Sequence, residues 1–151
     1  MSKFCGAHRA PRAGVDPIVD AECALDVIAL AMSSPPTEET IVMVLDEDHR
    51  GRTIIIVDGT TADDAVLEVV ERVTASMADA PAGPGALVVA SIRVGRGLGP
   101  ADGDRWLEAS DLAEAGGVEL LEWFVVRTDD DGFVASCPRD LLAEPPRWRS
   151  G

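Results

Sequence analysis

Basic side chains are scarce in this chain. Thirteen lysines and arginines face 27 aspartates and glutamates, Lys3 is the only lysine, and the formal net charge is −14. Nucleic-acid binding draws most of its affinity from basic side chains that neutralise phosphates, so this balance argues against nucleic acid as a partner. Histidine is nearly absent as well: His8 and His49 are the only two. That leaves little from which to build a Ser-His or Cys-His pair, and neither a G-x-S-x-G elbow nor a Gly-Lys-Ser/Thr phosphate loop occurs. No stretch approaches the roughly 20 apolar residues that a membrane span needs, and the opening MSKFCGAHRAPRAG lacks the apolar core of a secretory signal. The three cysteines, Cys5, Cys23 and Cys137, are odd in number and irregular in spacing, which predicts reduced thiols and a cytoplasmic location. Cys5 and His8 form a C-x-x-H pair, but no second pair follows at zinc-finger spacing.

What is present is a globular domain. The 151 residues are 46% hydrophobic and 26% charged, enough apolar side chain for one core and too little net polarity for disorder. Residues 1–15 read as a flexible N-terminal tail, 16–137 as the domain, and 138–151 as a C-terminal tail with apolar anchors at Leu141-Leu142 and Trp148. Asp16-Pro17 has the form of a helix start, aspartate as N-cap and proline at the first helical position, ahead of an apolar stripe through Ile18, Leu25, Ile28, Ala29 and Met32. ETIVMVLDE (39–47) and RTIIIVDGT (52–60) are rich in β-branched residues and predict an antiparallel hairpin with His49 at its tip. Thr61 and Asp64 resemble a capping box before a helix marked by Val66, Val69, Val70, Val73 and Met77. ALVVASIRV (86–94) predicts a central strand, WLEASDLAEA (106–115) a helix closed by Gly116-Gly117, and VELLEWFVVR with DDDG and FVAS a second hairpin. Helix, hairpin, helix, strand, helix, hairpin is the order of an α/β domain: a mixed central β-sheet flanked by helices.

The stretch SIRVGRGLGPADGDRW (91–106) is the natural place for a site, because it leaves an apolar strand, turns through glycines and feeds a helix. Gly95, Gly97 and Gly99 give G-x-G-x-G rather than the dinucleotide G-x-G-x-x-G, and Asp102 and Asp104 occupy the helix start where a phosphate would sit. A plain strand-to-helix connection explains these glycines equally well. Small-molecule or nucleotide binding at Gly95–Gly99 is one alternative reading.

A metal centre is the other chemistry such a loop suggests, and here residues from about 40 to 127 resemble the JAB/MPN metalloprotease-like domain, particularly its RadC type, with a cytidine deaminase-like arrangement. Val42-Met43-Val44-Leu45-Asp46 through Gly59-Thr60 resembles the family's upstream strand, turn, strand and Gly-Thr. Gly117-Val118-Glu119-Leu120-Leu121-Glu122-Trp123, followed by Phe124-Val125-Val126, resembles its downstream strand. In the family a strand ends in H-x-H, a proline-serine pair and an aspartate follow, the two histidines and the aspartate hold zinc, and an upstream glutamate activates water. Laid over this chain without a gap, the histidine positions fall on Ser91 and Arg93, the proline on Pro100, the serine on Ala101 and the aspartate on Asp104. The glutamate region falls on RTIIIV, which contains no acid. Serine is a poor zinc ligand and arginine is none, so the resemblance implies a degenerate scaffold without catalytic zinc. The family geometry would turn Arg93 and Asp104 toward one another as a charge-assisted pair; the alternative is that Arg93 reaches solvent and Asp104 caps the helix.

The expectation is therefore a non-catalytic JAB/RadC-like domain, a pseudoenzyme with no cofactor and no bound metal, acting as a protein-interaction or assembly module for an unidentified protein partner. Ser91, Arg93 and Asp104 mark the degenerate site. Trp148 in the Pro- and Arg-rich tail, and Trp106, are the candidate partner-binding residues, because tryptophan is enriched at interface hot spots; core packing competes for Trp106 and Trp123. A homodimer through an edge strand or the tail is compatible with the sequence. A different class of function is a hydrolase in which Asp58, Asp102 and Asp104 bind Mg²⁺ or Mn²⁺, ions that prefer oxygen donors.

Overall fold

The computed structural model describes residues 15–78 and 85–148. Of the expected tail at residues 1–15, all but Val15 lies outside them, Cys5 and His8 included. The element order matches the one read from the sequence: α1 (Ala21–Ala31), β1 (Glu39–Leu45), β2 (Gly51–Asp58), α2 (Ala65–Met77), β3 (Ala86–Val94), α3 (Asp102–Ala115), β4 (Glu119–Asp129) and β5 (Gly132–Ser136), then a 3₁₀ helix at Pro138–Leu142. The strands form one five-stranded sheet in the order β2-β1-β3-β4-β5. β1 runs antiparallel to β2 and β3, β3 and β4 are parallel, and β4 and β5 close an antiparallel hairpin. The parallel pair needs a crossover, and α3 supplies it.

Helices cover both faces of this sheet, which is why β1 and β3 read as continuous apolar runs rather than alternating ones. On one face α2 and α3 pack over Val42, Val44, Leu87, Val89, Trp123 and Val125, with Trp106 of α3 fully buried among them. On the other, α1 packs over Ile41, Met43, Val88, Ala90, Phe124 and Val126. His49 sits at the β1–β2 turn with φ 62°, the left-handed conformation a tight turn requires.

Three local expectations are corrected. The first helix begins at Ala21, not at Asp16-Pro17; its N-cap is Asp20, whose carboxylate accepts the Cys23 N–H at 2.8 Å. Pro17 instead bridges to Arg50 as an extended residue, and the Ile18 N–H donates to the His49 carbonyl at 2.7 Å. Ile18 is thus core, as its place in the stripe suggested, but the hairpin holds it extended. Thr61 does not cap α2: the helix starts at Ala65 after Asp64, which makes no side-chain capping bond, while the Thr61 N–H turns back to the Gly59 carbonyl. Finally, the cysteines are not all reduced, since Cys23 is disulfide-bonded and Cys137 is a free thiol; spacing along the chain does not report which thiols meet.

The segment after Cys137, expected as a tail, is part of the domain as far as Trp148. β5 pairs only with Val125–Asp129, so the first half of β4 lacks a strand neighbour on that side. The last segment covers it. Arg139 from the 3₁₀ helix forks onto Glu122, and Arg147 donates to the Leu120 carbonyl at 2.9 Å. The 3₁₀ helix also rests on α3 at Gly103, where an added Cβ would come within 3.3 Å of Leu142. Covering an open edge in this way removes a template for strand addition. Among the described residues no helix is long and apolar enough to cross a membrane.

Arg147 closes the strap, its guanidinium stacked 4.3 Å from the Trp106 ring centroid. Arg147→Ala loses that stacking and the Leu120 hydrogen bond, together about 1–2 kcal/mol. The expected result is a melting temperature lower by about 2–6 °C in thermal denaturation. An unchanged midpoint would mean that the strap is not docked in solution.

Candidate functional site

The site is built where β3 runs out. Side chains alternate along a strand, so Ser91 and Arg93 follow Leu87 and Val89 onto the face covered by α2 and α3. Gly95 ends the strand with φ 75°, and its N–H donates to the Thr128 carbonyl at 2.8 Å, which turns the chain across β4. Seven residues later α3 begins at Asp102.

Arg93 and Asp102 close this turn from inside. Arg93 is 3% exposed and Asp102 is fully buried. The guanidinium forks onto the carboxylate, Nη1 to Oδ2 at 2.8 Å and Nη2 to Oδ1 at 3.0 Å. The same oxygens take two more donors: the Gly99 N–H on Oδ2 at 2.6 Å and Arg105 Nη1 on Oδ1 at 2.9 Å. A carboxylate offers about four lone-pair positions, and all of Asp102's are filled. Arg93 also donates to the Gly97 carbonyl at 3.1 Å and the Asp63 carbonyl at 3.4 Å, so it ties β3, the loop and the approach to α2 together. Burial by itself would push the Asp102 carboxyl up; the Arg93 fork, the Gly99 N–H and Arg105 outweigh it and hold the carboxyl below the usual carboxylate range.

A second, wetter layer surrounds the fork. Arg96 donates through Nε and Nη2 to Asp63 Oδ1 at 3.1 and 2.9 Å and through Nη1 to Glu38. The other Glu38 oxygen accepts the Val94 N–H at 2.6 Å. The loop's charges are therefore satisfied within the chain.

The expected partner of Arg93 is corrected by two residues: it pairs with Asp102, and Asp104 is exposed. Helix geometry explains this. Two residues are about 200° apart around a helix, so only one of the two aspartates can face β3. Ser91 is nearly buried and its hydroxyl accepts the Trp123 indole N–H at 2.9 Å. Trp106 is a core residue whose indole N–H donates to Glu144 at 3.0 Å. Trp148 is half-buried against the α1-side core. Neither tryptophan stands free on the surface.

The alternative chemistries meet the same geometry. Asp58, at the exposed end of β2, and the exposed Asp104 are not gathered around the saturated Asp102; among the described residues no group of three histidine, cysteine or acidic side chains stands where it could hold a metal ion. The residues present do not fit the zinc ion that the resembled family holds: Ser91 already accepts an indole N–H, Arg93 is a cation, and Asp102 has no free lone pair. In the glycine loop, the Gly95 and Gly99 amides that would cradle a phosphate are already donating, and the Asp102 carboxylate stands as an internal anion by the start of α3.

Sequence reasoning missed Asp63 and Glu38, whose only signal was charge, and a second buried pair. Glu122 is fully buried and receives Arg139 Nε on both oxygens, at 3.0 and 3.1 Å. An acid inside the apolar run LLEWFVV was the available clue. Burial outweighs the Arg139 pairing and raises the Glu122 carboxyl; burial, with the nearby Glu122 charge, pushes the Cys137 thiol up to about 12, which leaves it protonated and inert at neutral pH.

No family model matches the chain, and neither a curated protein nor a solved structure is significantly similar to it.

Breaking the fork leaves a buried charge uncompensated. Arg93→Ala is expected to cost about 3–5 kcal/mol in urea denaturation, whereas Arg93→Met combined with Asp102→Leu is expected to retain more stability than Arg93→Ala, because it strands no charge. A double variant less stable than Arg93→Ala would show that the residues do not act as a pair. The pH dependence has a fixed sign. Because the folded-state carboxyl of Asp102 lies below its unfolded value near 3.9, its contribution is full above that value and is lost as pH falls through the folded value. Asp102→Asn should therefore flatten the acid limb of the stability–pH curve; an unaltered limb would assign it to other carboxylates.

Proposed function

We propose that this protein is a degenerate JAB/MPN domain of the RadC type, a pseudoenzyme in which an arginine–aspartate fork fills the place of the metal centre, and that it acts as a protein-interaction or assembly module. The observation that carries the reading is the fourfold-satisfied Asp102 with Arg93 forked onto it. Catalysis by a metal needs an ion with an open position for water. A guanidinium offers neither a Lewis acid nor an exchangeable ligand, and it keeps its charge. What such a domain keeps is a stiff sheet, a braced loop at one end of it, and surfaces on which another protein can dock.

Two features support the reading: Ser91 and Arg93 at the positions where the resembled family carries histidines, and the internal pairing of Asp63, Arg96 and Glu38 around the loop. The carboxylate taken by Arg93 is not the one that the gap-free comparison places at the ligand position. The pairing is thus a property of this chain, not a relic of the ligand set.

The test is metal uptake. Purified protein incubated with Zn²⁺, Mn²⁺ or Mg²⁺ and then desalted should hold far less than one ion per chain by elemental analysis. The melting temperature should not rise with ion concentration, since only an ion bound to the folded state stabilises it. An ion at unit stoichiometry that Asp102→Asn releases would replace this reading with a hydrolase using oxygen ligands. A melting-temperature rise with nucleotides that Gly97→Ala abolishes would replace it with a ligand-binding loop.

A further inference from the structure

β2 is an edge strand: among the described residues it pairs with β1 on one side, and on the other the nearest pairing is the Pro17 bridge to Arg50, just ahead of its first residue. Edge strands are ordinarily guarded by a central charge, a proline, a bulge or a covering element. β2 reads Gly51-Arg52-Thr53-Ile54-Ile55-Ile56-Val57-Asp58. Its middle five residues carry no charge and no proline, and its one irregularity in pairing lies at the Gly51 end, opposite Val44 and Leu45. Ile54 and Ile56 are 43% and 44% exposed, although their partners on β1, Met43 and Ile41, are core residues. The apolar sheet face therefore continues past the cover of α1 and stops at an open edge.

The order of residues on this edge says what fits it. Counted outward from Ile55, the strand is matched to its own reverse: Ile54 with Ile56, Thr53 with Val57, Arg52 with Asp58. We propose that β2 pairs antiparallel with β2 of a second copy of the chain about a two-fold axis at Ile55, joining two sheets into one of ten strands. In that register Arg52 of each copy faces Asp58 of the other, so two opposite-charge pairs close the ends. Ile54, Ile56 and Asp58 lie on the same sheet face, because they are separated from one another by even steps, and Arg52 stands at the irregularity that ends the strand. Between the charged ends Ile54 and Ile56 from each copy form a four-isoleucine cluster. On the opposite face the groove of about 440 Å³ between β2 and α2, lined by Ile55, Val57, Val69, Arg72 and Val73, continues across the axis into its symmetry mate. A two-fold interface must be self-complementary, and β2 is.

The other edge does not share this property. β5 is five residues, Gly132–Ser136, its reversal places no charge opposite its complement, and it follows Asp129-Asp130-Asp131, which would repel a second copy. Phe133 and Val134 are exposed there, with no charges placed to pair across a two-fold axis. A net charge of −14 on each chain works against association in general, and so favours the register that pairs Arg52 with Asp58.

This inference rests on the assembly reading above and names one partner for it, a second copy of the chain. Reversing one residue turns two cross-strand pairs at once from opposite to like charge and so weakens the dimer about tenfold. Sedimentation velocity of the full chain should show a monomer–dimer equilibrium. Arg52→Asp and Asp58→Arg should each shift it toward monomer. Mixed together, the two variants should form a heterodimer: at one end the two introduced residues meet as an opposite-charge pair, and at the other the native Arg52 and Asp58 still meet. The double variant, R52D with D58R, should dimerise like the wild type. Both positions are exposed, so the circular dichroism of each variant should match the wild type, and its melting should match at concentrations where the wild type is also monomeric. A wild-type chain that stays monomeric at every concentration overturns the proposal. So does a dimer indifferent to the single reversals or not rescued by mixing, which would move the interface elsewhere. Ion uptake is measured separately, so a monomeric protein without metal would remove the β2 pairing alone, and a dimer holding an ion would remove the pseudoenzyme reading alone.

Discussion

Arg93 and Asp102 are both withdrawn from water, and the energetics of doing so constrain everything around them. Moving a carboxylate and a guanidinium out of solvent costs several kcal/mol each, and their mutual attraction offsets this only when the remaining donors and acceptors are also met. Here they are met by the Gly97 and Asp63 carbonyls on one side and the Gly99 N–H and Arg105 on the other. Those groups come from three different pieces of chain. The end of β3, the glycine loop, the approach to α2 and the first turn of α3 must therefore adopt one relative arrangement, or a charge is left stranded. The loop owes its fixed shape to this requirement; its glycines only permit it. Gly95 with its positive φ allows the turn, and the fork decides where the turn goes.

The Glu122–Arg139 pair plays the same part for the last segment. Its balance differs: burial of Glu122 outweighs the single arginine, and the carboxyl is raised, whereas Asp102 with four donors is held down. Loss of ionisation at Glu122 therefore relieves the folded state where loss at Asp102 harms it. Acid should act on the two ends of the sheet in opposite senses: loosening the glycine loop while leaving the strap over β4 intact. Two buried ion pairs in one domain are weak evidence for high stability. They are better evidence that one arrangement of loops is specified over others.

Much of this was legible in the chain. The element order and the strands followed from hydrophobic period and β-branched runs, since burial on both faces leaves an unmistakable pattern in ETIVMVL and ALVVASI. Cap positions were not legible, because Asp16, Asp20, Thr61 and Asp64 are equivalent to a local rule and tertiary pairing chose among them: the Pro17–Arg50 bridge pulled the chain extended past Asp16. At the site, Arg93 stood out as a cation on a buried strand, and a carboxylate partner from the start of α3 was foreseeable. Which aspartate it would be depended on the phase of a helix whose first residue could not be read to within two positions. Trp148 was misjudged for a related reason. A Pro- and Arg-rich ending looks like a tail, and only the incomplete pairing of β4 creates the groove that takes it in.

The difference between a guanidinium and a metal ion bears on what such a scaffold can do. A metal centre exchanges ligands, so its surroundings must admit water and substrate, and its loop must tolerate movement. An arginine fork does the reverse: it is always charged, cannot exchange, and gains most when solvent is excluded. Replacing the one with the other removes chemistry and adds stiffness at the same position. On the proposed reading, the loop end of the sheet becomes a rigid boundary whose charges are spent internally on Asp63, Arg96 and Glu38. Among the described residues, the β2 edge, on the side of the sheet away from the strap, keeps apolar side chains exposed at Ile54 and Ile56. An assembly function would then be written in that edge, with the sealed loop holding the sheet in the shape the edge requires.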